Sequence, residues 1–353
     1  MLIAELASNL RIHLERLLER PIEIGQLADK GLAHWHFRLV GTGLLARIPK
    51  QSQMAFGALD NLLYEAACFE RAADCGHVPR LARVIQPTHE LPWGALLVEE
   101  ITGAPANHPL HIAPIMQALA SMHALSLPAA QDRIPLLNEN DPLQGLLALV
   151  RAQAIYLDHP AISGSSRHTL KNRLDTLSRT IPRACAGLEP RLITFDAHPG
   201  NFLITSTGKA VLVDLEKLRY SYPPLDLAHA TLYTSTTWDV AASFELSIEQ
   251  VARAYETWIA AVGNLAAPYL AAFVPLRELM WLWSVTWCAK WLTESVKTKE
   301  PGVGGEDWSQ ANSDGALIRH VRARVHDYLA FPTIQQVLEE LDELDRLYAQ
   351  ASY

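Results

Sequence analysis

A chain of 353 residues with 49% hydrophobic and 19% charged content is an ordinary globular chain, long enough for a two-lobed domain or two domains around a large core. Its net charge of −8 and the lack of a basic tail argue against nucleic acid as the main partner, because binding a phosphate backbone calls for clustered Lys and Arg. Cys68, Cys75, Cys185 and Cys288 have neither C-x-x-C nor zinc-ligand spacing, and read as free core thiols in a reducing compartment.

In chain order, Met1 to Leu18 sets Leu6, Leu10, Leu14 and Leu17 among Glu and Arg. That spacing predicts an amphipathic helix, not the apolar core of a signal peptide, and a cytoplasmic protein is expected. Pro21 ends this helix. Short strands are predicted at Ile22–Leu27, His34–Val40 and Leu44–Ile48, with Gly31 in the first turn and Gly41-Thr42-Gly43 as a hairpin turn. Gly41 to Ala46 formally matches the dinucleotide fingerprint G-x-G-x-x-A, but that motif needs a helix directly after the glycines, and here a strand runs into Pro49. A helix is predicted over Leu59–Cys75, stopped by Gly76, then strands at Leu81–Ile85 and Ala95–Val98. Beyond Gly103 the pattern is mostly helical. Ala271–Leu292 is apolar but broken by Arg277, Glu278 and Lys290, so it reads as a buried or cleft-lining helix instead of a membrane span. Lys299–Gly315 reads as an exposed loop. The last helix, Thr333–Ala349, has Ile334, Val337, Leu341, Leu344 and Tyr348 on one side, for packing on the body or for dimerisation; monomer and homodimer both stay open. Strands first and helices later predict an α+β fold with an N-terminal lobe over residues 1–102 and a C-terminal lobe over 103–353, joined near Glu99 to Gly103.

The segment Ile193 to Glu216 reads ITFDAHPGNFLITSTGKAVLVDLE. It holds Asp196, an amide five residues later at Asn201, and a β-branched run ending in Asp214. Pro199-Gly200 supplies a bend, and Gly208 marks a turn between strands at Phe202–Thr205 and Ala210–Asp214. A D-x-x-x-x-N with a later D-x-E arises by chance in many proteins, whereas the same order with HPGN and the two-strand spacing is much rarer. The whole resembles the catalytic loop and metal-binding segment of the kinase-like small-molecule phosphotransferases, which include aminoglycoside phosphotransferases and choline kinases.

That resemblance spans roughly residues 22 to 290 and implies a two-lobed protein-kinase-like fold: an antiparallel sheet in the N-terminal lobe above a mostly helical C-terminal lobe. It implies ATP and Mg²⁺ as cofactors and a small hydroxyl compound as acceptor, an amino alcohol, an aminoglycoside or a sugar. Asp196 would orient the hydroxyl, and Asn201 and Asp214 would hold Mg²⁺. Gly31 would sit in a loop over the phosphates. Arg47 would contact phosphate and be fixed by Glu65, and backbone groups of Glu99 and Ile101 would meet the adenine edge. Asp226-Leu227-Ala228 would anchor a loop by hydrogen bonds, and His123 would pack a helix. On the helix of Arg277 to Leu292, Trp281, Trp287 and Trp291 are expected on one face, with Trp283 apart. Trp281 and Trp287 would then cage a cationic acceptor, or the indoles would simply fill the core. The pattern departs from the family in Thr194-Phe195, where His-Gly is usual, and in Ala33-His34 in the phosphate loop. The first departure supports a second reading, a nucleotide-binding pseudokinase acting as scaffold or sensor. A protein kinase is disfavoured, because Leu215-Glu216 replaces Phe-Gly and no A-P-E follows.

Overall fold

The computed structural model describes residues 3–27, 34–52, 54–295 and 315–351. The turn over Gly31 and the segment after residue 295 read as an exposed loop lie outside the described residues, except Gly315, which opens a helix. In the N-terminal part, Phe37 and Leu39 alternate with exposed Arg38, so one face of the strand is apolar. The apolar stripe Leu6, Leu10 and Leu14 of α1 (Ile3–Leu18) lies in one core with Phe37, Leu39, Ala46 and Ile48. The sheet is fully antiparallel, in the order β1 (Ile24–Gln26), β2 (His34–Leu39), β3 (Leu44–Pro49), β5 (Ala95–Glu99), β4 (Leu81–Ile85). Gly41 and Gly43 at the β2–β3 turn have φ of 73° and 70°, a backbone that favours glycine. The chain continues from them into β3, so no dinucleotide fingerprint is present.

The predicted helix after β3 ends earlier than its sequence pattern. α2 covers Ala58–Ala72, and Ala73–Cys75 tighten into a 3₁₀ turn closed by Gly76 at φ 71°. Its buried face, with Leu62, Tyr64 and Phe69, shares one hydrophobic cluster with the helical part of the chain. Tyr64 Oη donates to the Leu218 carbonyl at 2.6 Å. The backbone passes from sheet to helices at 100–103, while α2 is packed against both.

After β5 the chain forms β6 (Ala104–Pro105), which pairs with β9 (Phe202–Ile204) of the hairpin β9–β10, where β10 is Ala210–Leu212. A second small sheet joins β7 (Leu137–Asn138), β11 (Arg219–Ser221) and β8 (Arg191–Ile193). The helices are α3 (Ile112–His123), α4 (Pro142–Ala154), α5 (Gly164–Ala184), α6 (Pro223–Thr231), α7 (Tyr233–Thr236), α8 (Ile248–Val262), α9 (Phe273–Glu294), α10 (Gly315–Tyr328) and α11 (Phe331–Ala351). By length and composition the stretch Ile248–Glu294 is apolar enough to cross a membrane. Most of α9 is instead buried against α4, α5, α6, α10 and α11. Arg277 on α9 is fully buried and is answered by Glu340 of α11 and by the Thr231 hydroxyl at 2.6 Å. Ile334, Val337, Leu341 and Leu344 of α11 are buried in the same cluster, so that stripe serves packing onto the body. All four cysteines are buried and free.

Gly103 lies where the inter-lobe strand crosses β9. A Cβ there would stand 2.9 Å from the Ile204 carbonyl oxygen. Gly103→Ala is therefore expected to cost about 1–3 kcal/mol, as overpacking against backbone does. Urea unfolding checks this, and an unchanged midpoint would show that the two segments separate freely.

Candidate active site

The loop after β8 is positioned by one buried carboxylate. Asp226 of α6, fully buried, accepts from the backbone N–H of Thr194 at 2.7 Å, the Thr194 hydroxyl at 3.0 Å and the N–H of Phe195 at 2.8 Å. His123 of α3 lies on the other side, with Nε2 3.1 Å from Asp226 Oδ2. Trp258 Nε1 donates to His123 Nδ1 at 2.9 Å. An indole N–H can only donate, so His123 accepts at Nδ1 and donates its Nε2–H to Asp226. The D-L-A segment anchors the loop as expected. His123 does more than pack a helix, because it links Trp258 to the Asp226 carboxylate that holds Thr194 and Phe195. Phe195 stands at φ 56°, a strained value for a side chain of that size. Its N–H is tied to Asp226, and its ring is held under the Arg219 guanidinium at 3.8 Å and edge-on to Trp283 at 5.2 Å.

The next residue is Asp196, with Lys217 Nζ 2.9 Å from its Oδ2 and His229 Nδ1 3.7 Å from its Oδ1. Burial works to raise its pKa, but Lys217, His198 and His229 overcome that and hold the carboxyl well below the usual range. Asn201 Nδ2 donates to the Asp196 carbonyl at 2.8 Å. A carbonyl can only accept, so the amide is oriented with its own Oδ1 left for a cation. Val213 N–H donates to the Asn201 carbonyl at 2.9 Å, which locks this loop to the strand that delivers Asp214. Gly200 is packed tightly against Asp239, since a Cβ on it would lie 2.6 Å from Asp239 Cβ. Glu278, one of the charged residues that break the apolar stretch of α9, pairs with Arg173 at 2.7 Å.

Arg47 and Glu65 differ from expectation. Arg47 donates to Asp214 Oδ1 at 2.8 Å and to the Val213 carbonyl at 2.6 Å. Glu65 is instead 2.8 Å from His34 Nε2 and accepts from Asn61 at 2.6 Å. Buried His34 stands between them, with Nδ1 3.4 Å from Arg47 Nη2 and 3.5 Å from Glu216 Oε2. The physical reason is reach: Asp214 offers a partly exposed carboxylate directly beside β3, and His34 occupies the space before Glu65. Three carboxylates, Glu65, Asp214 and Glu216, thus gather around one guanidinium. Burial opposes ionisation of Asp214, but Arg47 holds its pKa down. Burial, Asp214 and Glu65 push the Glu216 carboxyl well up, and its Oε1 is buried with no partner. Donor atoms of His34, Asp214 and Glu216 lie within 4.8 Å of one another. Excess negative charge, an orphaned carboxylate oxygen and a free amide carbonyl together fit a hard divalent cation. Glu99 ends β5 with its N–H on the Arg80 carbonyl at 2.9 Å, and Ile101 follows in the inter-lobe segment.

A cavity of about 740 Å³ adjoins this loop, lined by Phe195 and by Lys217, the partner of Asp196, with Phe56, Arg219, Trp283 and Trp287 among others. The tryptophan expectation is corrected here: Trp281 is fully buried in the core, and Trp283 lines the cavity with Trp287 and Trp291. At about 100° per residue, Trp281 is about 120° from Trp287, whereas Trp283, Trp287 and Trp291 follow i, i+4, i+8 along one stripe. Sequence reasoning missed Lys217, Arg219 and His229 as site residues. His229 follows Asp226 by three positions on α6, a spacing that puts both on one helical side, and this signal could have found it.

The sequence matches the model of the phosphotransferase enzyme family called APH over residues 29–268, and the chain belongs to that family. No curated protein matches it by sequence. Among solved structures it is similar to the GDP complex of wild-type aminoglycoside 2′-phosphotransferase-IIIa, with a TM-score of 0.62 at 17% identity, covering 92% of this chain and 98% of that one. It is similar also to a choline/ethanolamine kinase family protein from Mesorhizobium loti, with a TM-score of 0.56 at 17% identity and coverage of 92% and 99%. Choline kinase from Cryptosporidium parvum Iowa II gives 0.57 at 14%, covering 90% of each chain. The fold is thus the two-lobed, protein-kinase-like α+β fold.

Two outcomes follow from this geometry. Asp226→Ala strands three buried donors of the loop and is expected to cost about 3–5 kcal/mol in urea unfolding. A loss below about 1 kcal/mol would show that the loop holds itself. His229 gives a pH dependence. Burial lowers its pKa from 6.5 to about 4 against the pull of Asp196. The unfolded chain then takes up a proton at about 6.5 and the folded chain only near 4, so stability falls with falling pH in that window, by about 1.4 kcal/mol per pH unit from this group. Unfolding at pH 7 and pH 5 should show a smaller difference in His229→Gln than in the wild-type chain. An equal difference would contradict it.

Proposed function

We propose that the chain transfers the γ-phosphoryl group of ATP to a hydroxyl of a small molecule, with Mg²⁺. The observation that carries this is the joining of three parts at one loop: Asp196 is bonded through its carbonyl to Asn201, is paired with Lys217 of the cavity wall, and stands in the same segment as Asp214 and Glu216 of the His34–Asp214–Glu216 donor cluster. When bound, Mg²⁺ neutralises charge on the phosphates. Asn201 and Asp214 would hold it, with Glu216 as a third oxygen donor. Arg47 would contact phosphate, held in place by the Val213 carbonyl, and His34 with Glu65 would back it. Gly31, Glu99 and Ile101 are assigned to the nucleotide by the family resemblance. Asp196 stays ionised at neutral pH and is a weak base. It therefore aligns the acceptor hydroxyl first and takes the proton as the new P–O bond forms and the bond to ADP breaks. Lys217 keeps that carboxylate in one place.

The pseudokinase reading rested on Thr194-Phe195. The Asp226 clamp, with His123 behind it, supports the enzyme reading instead. The aminoglycoside phosphotransferase neighbour is a GDP complex, so GTP belongs beside ATP in any test. Four buried free thiols suit the cytoplasm we assign to it. A small-molecule acceptor, no nucleic acid and no membrane complete the proposal.

The test is ADP release from Mg·ATP with a panel of small alcohols. Asp196→Asn should lower acceptor-dependent release by at least about 100-fold. Asp214→Ala should abolish release with an unchanged far-UV circular dichroism spectrum. Retained turnover in Asp214→Ala would remove the metal assignment.

A further inference from the structure

The cavity beside Asp196 carries cations of unequal freedom. Lys217 is committed to Asp196 at 2.9 Å, and Lys290 lies 3.9 Å from Glu294. Arg219 is different. Its Nε donates to the Lys217 carbonyl at 3.1 Å, and its guanidinium lies flat over the Phe195 ring at 3.8 Å. Among the described residues it forms no ion pair, although it lines the cavity. Burial lowers its pKa, with Tyr64, Glu139 and Asp196 acting the other way from a distance. A half-buried guanidinium with only one bond used is costly unless something completes it. β11 and the Phe195 ring fix its plane, so its free donors form a preset fork of the kind that matches a carboxylate or phosphate.

The acids of the same cavity are placed otherwise. Glu294 accepts from Tyr156 Oη at 2.8 Å and is near Lys290. Glu139 is exposed, at the rim, with its carboxylate where a Cβ on Gly145 would fall. Neither acid stands beside Asp196 as Lys217 does, nor on the aromatic ring of the reactive loop as Arg219 does. The apolar wall of Trp283, Trp287 and Leu146 would take the body of a ligand in a volume suited to a small molecule.

We propose that the acceptor is an anionic alcohol: its carboxylate or phosphate group is held by Arg219, its apolar body lies on Trp283 and Trp287, and its hydroxyl reaches Asp196. This rests on the phosphotransferase reading for the hydroxyl and on the cavity alone for the anion. Arg219 is a specificity residue here, and a cationic amino alcohol or aminoglycoside would meet it unfavourably. In the transfer the acceptor O–H proton goes to Asp196, the acceptor oxygen bonds phosphorus, and ADP leaves with the electrons of the broken P–O bond.

The experiment uses the whole chain and three probes of similar length: 4-hydroxybutyrate, 3-hydroxypropyl phosphate and choline. Binding is read from the fluorescence of the cavity tryptophans, and turnover from ADP release. The expected result is that at least one anionic probe binds tenfold or more tighter than choline, and that the two anions' affinities say which group the fork prefers. Arg219→Gln should erase the advantage over choline. Arg219→Lys, which keeps charge but loses the planar fork, should keep part of it. Glu139→Gln should leave anion binding equal or stronger. Choline binding tighter than both anions, no saturable binding of either anion, or unchanged anion affinity in Arg219→Gln would overturn the proposal. Anion binding without ADP release would leave the pocket assignment standing and remove the kinase reading. Release with choline alone would do the reverse.

Discussion

Everything reactive in this chain hangs from the Asp226 carboxylate. It is buried and takes three donors from two consecutive loop residues, while the Trp258–His123 pair fills its other side. Such a carboxylate would be costly without partners, and with them it rigidifies what it binds. The strain at Phe195 persists because of it. That strain turns the phenyl ring toward Trp283 and Arg219 on one side and presents Asp196 to Lys217 and His229 on the other. The helices that supply Asp226, His123 and Trp258 meet in the interior of the helical lobe, so the large hydrophobic cluster and the site are mechanically one object.

From this frame the charges separate into two groups with opposite tendencies. Asp196 is kept ionised by surrounding cations and imidazoles. Glu216, buried beside two other carboxylates, is driven toward its neutral form. Groups whose environments push their pKa values apart mark different chemical duties. In the proposed reaction one carboxylate would address the acceptor; the other set has surplus negative charge that a divalent cation would relieve. Arg47, held by Asp214 and the Val213 carbonyl, stands at the border of the second set, where phosphate oxygens would compete for it.

Much of this was legible in the chain. The sheet followed from β-period alternation and paired glycines at the Gly41–Gly43 turn, and the hairpin carrying Asp214 followed from Gly208, at φ 80°. Local signals of that kind act over a few residues. The contacts that were not legible are long-range. His34 meets Glu65 across 31 positions, and Lys217 meets Asp196 across 21, and no spacing rule encodes either. α9 posed another difficulty. It is apolar on nearly every side, so no polar face shows which tryptophans turn to the cavity and which to the core. Helical spacing sets Trp281 apart from the Trp283–Trp287–Trp291 stripe, but only the packing of α9 shows which side meets the cavity.

In the proposed reaction a phosphoryl donor and a hydroxyl acceptor meet at Asp196. Its most direct test is ³¹P NMR of the chain with Mg·ATP and the three alcohols in turn. A new phosphate-ester resonance that grows in step with ADP, for one acceptor or more, is the predicted result. ATP that stays intact with every acceptor, or ADP that forms together with inorganic phosphate alone, would contradict it.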